Sequence, residues 1–84
     1  MAKYDPLYDY LAAKYADTED LTLTFQQIEK ILDAELPPSA HNHQAWWANE
    51  RDGRHVHAKA WMEAGWKVET VNQQDQWVRF CRTA

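Results

Sequence analysis

Apolar and polar positions follow two rhythms along this chain. Leu7, Tyr8, Leu11 and Tyr15 recur at helical spacing. Asp5-Pro6 ahead of them reads as a helix start, with Asp5 as the N-cap and Pro6 at the first helical position, where its missing N–H costs nothing. This helix is expected to end near Ala16, before a polar loop from Asp17 to Asp20. Leu21 and Leu23 then alternate with Thr22 and Thr24, the pattern of a short, half-buried strand. Thr24 is also an N-cap candidate, and Gln27 three residues on completes a capping box. Phe25, Ile28, Ile31 and Leu32 form the buried stripe of a second helix. Leu36-Pro37-Pro38 stops it, because proline lacks a donor and restricts the residue before it.

Ser39 is the next N-cap candidate, opening a segment to Asn49 that contains Trp46-Trp47. Asn49 to Gly53 reads as a turn. Arg54 to Ala64 is rich in helix formers, and Gly65 is placed as its C-terminal cap. Trp66, Val68 and Val71, then Trp77, Val78 and Phe80, predict a β-hairpin across the polar Asn72-Gln73-Gln74-Asp75. Leu21–Thr24 is expected to join it as a third strand, since a lone hairpin is marginally stable. The predicted fold is α+β: three or four short helices with a small antiparallel sheet, in the element order of a winged helix-turn-helix. The intervening Ser39–Asn49 segment departs from the simplest winged pattern.

Eighty-four residues make one domain, 1–84, with no repeats or linkers. A core of this size needs efficient burial, and five Trp, four Tyr and two Phe supply it, each large aromatic covering roughly 150–250 Å². No long apolar run exists that would span a membrane. The Met-Ala-Lys-Tyr-Asp-Pro start has no apolar signal core, and the one cysteine, Cys81, has no partner for an internal disulfide; together they lead us to expect a cytoplasmic protein. Net charge is -4, unevenly spread. Residues 1–36 carry eight acids against Lys3, Lys14 and Lys30, whereas residues 37–84 hold six Lys and Arg against five acids, with all four histidines. Two different faces are implied. The overall sign argues against strong nonspecific DNA affinity, which comes from neutralising phosphates.

The chain resembles a family of small bacterial, archaeal and phage domains over residues 4–71. The residues that carry the likeness are Tyr4, Pro6 to Leu11, Leu23-Thr24-Phe25, Ile28-Glu29, Ile31-Leu32, Leu36-Pro37, Ser39-Ala40, Trp46-Trp47, Asn49, His57, Ala60-Trp61 and Ala64-Gly65-Trp66. The resemblance implies a shared fold without an assigned activity. Its members stand alone or are appended to nuclease-like proteins, which leans towards nucleic acid. Asp33 departs from it, at a position where a glycine closing the second helix is expected.

Trp46-Trp47 could be a stacking platform for bases or a partner. In so small a domain the favoured reading is that one ring is core and the other caps it. His41, His43, His55 and His57 are the candidate zinc ligands, but i,i+2 spacing puts paired residues on different helix faces, and no cysteine lies near. No metal or other cofactor is expected. Nor is catalysis: Cys81 follows Phe80 in a strand, and there is neither a nucleophile–base spacing nor a Gly-rich phosphate loop. The helix before the hairpin holds the recognition position of a winged fold. With Trp61 inward, Val56, Lys59 and Glu63 face the opposite side. The sequence thus predicts a non-enzymatic DNA-binding domain using His41, Asn42, Gln44, Arg51, Arg54, His55 and Lys59, with Asn72 to Gln76 as the wing. The alternative is a protein-interaction module, such as a phage or defence-system inhibitor, acting through Asp9, Asp17, Glu19, Asp20 and Glu29.

Overall fold

A computed structural model describes residues 3–49 and 56–83. The first helix, α1, spans Asp5–Lys14. It starts one residue earlier than expected. Tyr4, not Asp5, is the N-cap, and its carbonyl accepts from the N–H groups of Leu7 and Tyr8, both at 3.1 Å. Tyr4 takes this place because its ring is buried against Trp46 and His57, a tertiary contact that outweighs the local capping preference of Asp5. Leu7 and Leu11 are buried, but Tyr8 stands 38 % exposed, so the stripe is narrower than its spacing implied. The helix ends at Lys14 rather than Ala16.

Strand β1 is Asp20–Thr24, and it runs directly into α2, Phe25–Leu32. The capping box forms as expected. Gln27 N–H donates to Thr24 Oγ1 at 3.0 Å, and Thr24 N–H donates to Gln27 Oε1 at 2.8 Å. Phe25, Ile28 and Leu32 are buried, with Ile31 packed at the margin. The helix closes before the Pro pair is reached, at Asp33, which adopts a left-handed conformation (φ 55°, ψ 39°). Glu29 supports the turn by accepting from Leu36 N–H at 2.8 Å.

Helix α3 is one turn, Pro38–Asn42, and a 3-10 turn follows at Gln44–Trp47. Pro37 rather than Ser39 is the N-cap, because Pro38 already fits the first helical turn. Helix α4 is described over Val56–Glu63. The expected turn at Asn49–Gly53 and the start of the helix at Arg54 lie largely outside the described residues. Gly65 ends α4 at φ 93°, as its placement required. Strand β2 is Trp66–Asn72 and β3 is Trp77–Arg82.

The three strands form one antiparallel sheet in the order β1-β3-β2. Leu23 pairs with Val78 and Leu21 with Phe80, while a bulge between Val68 and Thr70 shifts the β2 register. Leu23, Val78 and Phe80 point into the core, and Thr22 and Arg79 face solvent. The expected α+β fold and three-stranded sheet are therefore present.

Aromatic rings dominate the core. Trp61 is fully buried, stacked on Trp47 at 5.8 Å and tilted against Phe80 at 5.8 Å. Trp66 is also fully buried, and its indole N–H donates to the Leu11 carbonyl at 2.8 Å. No helix among the described residues is long and apolar enough to cross a membrane.

Candidate binding surface

Helix α4 buries one side and shows the other. His57, Ala58, Ala60 and Trp61 are buried, whereas Val56, Lys59 and Glu63 are exposed at i, i+3 and i+7. The orientation is the one expected from Trp61. What the sequence did not reveal is that this face borders α1. Val56, Lys59, Ala60 and Glu63 line a groove of about 330 Å³ together with Tyr4, Asp5 and Tyr8. Tyr8 and Val56 are the large hydrophobics exposed among the described residues, at 38 % and 59 %. Burial pushes the Tyr4 phenol above its ordinary pKa, so it is neutral near pH 7. The sequence signal for this groove was Asp5, Tyr8 and Asp9, which share the exposed side of α1 at i, i+3 and i+4.

The other candidate DNA contacts lie elsewhere. His41 packs edge-on against Phe25 at 5.3 Å, beside the start of α2. Asn42 is exposed at the end of α3. Gln44 lines a second groove of about 400 Å³ along β2, with Trp47, Asn49 and Val68 to Val71. Lys59 and Gln44 thus border different grooves. Arg51, Arg54 and His55 lie outside the described residues. Among the described members of the set, Lys59 is the one Lys or Arg, and its groove also contains Asp5 and Glu63.

The segment expected as a wing, Asn72 to Gln76, joins β2 to β3 and is short and tied down. Asn72 Oδ1 accepts from Asp75 N–H at 2.9 Å, and Asn72 Nδ2 donates to Asp75 Oδ2 at 3.1 Å. Gln73 Nε2 donates to the Ala40 carbonyl at 2.9 Å, joining the wing to α3. Gln76 is left-handed at φ 60°, and its carbonyl accepts from Phe25 N–H at 2.9 Å. These bonds set the wing beside the start of α2 with Gln74, Asp75 and Gln76 exposed.

Two polar residues have structural roles. Asn49 Oδ1 accepts from Trp61 Nε1 and from Val68 N–H, each at 2.9 Å, while its Nδ2 donates to the Val68 carbonyl at 2.9 Å. One amide thus satisfies a buried indole and pairs with the edge of β2 as a strand residue would. His57 stacks on Trp46 at 3.8 Å, with rings 5° from parallel. Its Nε2 lies 2.6 Å from the Trp46 carbonyl; a carbonyl only accepts, so Nε2 carries the proton. Trp47 is buried and Trp46 is half-buried, the core-and-cap arrangement favoured from sequence.

Among the described residues no group of three or more His, Cys, Asp or Glu is placed to hold a metal ion. Cys81 is half-buried, and desolvation raises its thiol pKa, with Lys67 opposing and Glu69 adding. The acids proposed as an interaction face are partly engaged. Asp20 pairs with Arg79 at 3.1 Å, and Glu19 lies 3.7 Å from Arg82. Asp9 and Asp17 are exposed.

A family model, the domain of unknown function DUF7662, matches residues 4–83. No curated protein and no solved structure matches the chain.

Proposed function

The chain belongs to the DUF7662 family, and we propose that this member is a non-enzymatic winged helix-turn-helix domain that binds DNA. The observation that carries this reading is the sheet order β1-β3-β2, entered from a helix and closed by a hairpin. On this reading α4, the helix before the hairpin, serves as the recognition helix and the β2–β3 loop as the wing. Lys59 serves a phosphate. Arg51 and Arg54 supply the remaining positive groups, and His41, Asn42, Gln44, His55 and the amides of the wing read or position the duplex.

Three positively charged side chains, Arg51, Arg54 and Lys59, set the salt dependence. At about 0.9 per phosphate neutralised, log K falls with log salt at a slope near -3, shallow beside strongly basic binders. A mobility-shift titration against pooled random duplexes at low salt tests the proposal. Binding weakened by Arg54→Ala and by Lys59→Ala, each lowering the slope by about 1, supports it. No shift at any concentration short of aggregation removes DNA as the ligand.

A second reading, a protein-interaction module, is favoured by one observation. The exposed Tyr8 and Val56 share a single groove instead of being scattered, and such patches mark docking surfaces.

A further inference from the structure

We propose that the junction of the β2–β3 loop with α2 and α3 is a base-reading surface selective for A·T pairs. This rests on the DNA reading and adds to it the composition of the target. Three contacts make the junction. The Gln76 carbonyl accepts from Phe25 N–H at 2.9 Å, at the start of α2. Gln73 Nε2 donates to the Ala40 carbonyl at 2.9 Å, within α3. The His41 ring meets the Phe25 ring edge-on at 5.3 Å. Phe25 and Ala40 are buried, so the loop is clamped to the core at two points. The backbone that carries exposed side chains here needs little ordering when they bind.

The exposed side chains at this junction are mostly amides. The chain holds nine Asn and Gln. Gln27, Asn49, Asn72 and Gln73 engage their side chains in bonds within the fold. The other five, Gln26, Asn42, Gln44, Gln74 and Gln76, are exposed, and no hydrogen bond among the described residues engages their amides. Four of these five flank the junction: Gln26 follows Phe25, Asn42 follows His41, and Gln74 and Gln76 lie in the loop. Gln44 lines the separate groove along β2. An amide offers a donor and an acceptor side by side. In the major groove, Asn and Gln pair bidentately with N6 and N7 of adenine. In the minor groove, A·T pairs present acceptors alone, whereas guanine adds an amine. Either approach favours A·T. Being neutral, these amides select bases and do not attract phosphates. Asp75, the acid of the loop, accepts from Asn72 Nδ2 at 3.1 Å and closes the turn.

The test titrates the full chain into two labelled duplexes of equal length, one of A·T pairs in mixed order and one of G·C pairs, and follows fluorescence anisotropy at several low salt concentrations. The expected result is that the A·T duplex binds at least about fivefold tighter, the scale of one amide–base pair. A triple variant, Gln26→Ala with Asn42→Ala and Gln74→Ala, changes only exposed positions. It binds the two duplexes equally, and its salt dependence is that of the wild type because no charge is removed. Gln74→Ala alone lowers the preference. Equal binding by the wild type, or a G·C preference, overturns the A·T assignment and leaves the DNA reading standing. A preference that survives in the triple variant belongs to duplex shape and overturns the amide surface. A triple variant that loses both duplexes alike overturns it too, since these positions then supply affinity and not selection. No binding of either duplex by the wild type overturns the DNA reading, and this inference with it.

Discussion

Asn49 shows how much one small side chain can hold. Its three hydrogen bonds join the chain after the 3-10 turn, the buried indole of Trp61 and the edge of β2. Asn49→Ala leaves a buried indole N–H without a partner, which costs about 1–3 kcal/mol. A urea melt reads the loss as a lower midpoint with an unchanged slope. No local pattern announces this role, because both partners are distant in sequence and an Asn opening a predicted turn reads as turn chemistry. Asp33 was legible, since the resemblance called for glycine there. It sits left-handed at φ 55° at the helix end that disfavours an acid. Asp33→Gly is expected to stabilise the fold by about 1 kcal/mol, raising Tm by about 4–8 °C in a domain of this size. A thermal melt with an unchanged or lower Tm contradicts that assignment.

Among the elements, those set by local chemistry were legible and those set by tertiary contact were not. β1, the capping box at Thr24, the hairpin and the Gly65 turn each have a short-range cause, and all stand where the sequence placed them. The start of α1 and the 3-10 path through Trp46-Trp47 do not, because burial of Tyr4 and Trp47 decides them. Of the candidate site, the outward side of α4 was readable from its period. Its closure by α1 was not, because a single helix gives no sign of which neighbour flanks it. Helix α4 is fixed to the sheet through Trp61, whose described ring neighbours are Trp46, Trp47, His57 and Phe80. Trp61→Ala opens a cavity among rigid rings that cannot readily collapse into it, and is expected to cost about 3–5 kcal/mol. Near-wild-type thermal stability of that variant shows that α4 is held some other way.

Across the whole molecule, the charge asymmetry of the sequence becomes a question of which charges are already engaged. Arg79 is bracketed by Asp20 at 3.1 Å and Glu69 at 3.4 Å, and Arg82 donates to the Tyr15 carbonyl while lying near Glu19. The bridges of Arg79 are about half exposed, so each contributes no more than about 1 kcal/mol to folding. Replacing Asp17, Glu19 and Asp20 with their amides therefore leaves the fold intact and moves the net charge from -4 to -1. If the domain binds DNA, the triple variant binds random duplexes more tightly at low salt, and the gain shrinks as salt rises, because less negative charge repels the phosphates. If a partner meets these acids directly, the same variant loses that partner. Duplex titrations of this one variant at two salt concentrations separate the two cases. Unchanged DNA affinity at low salt in a duplex-binding protein contradicts a role for whole-molecule charge in recognition.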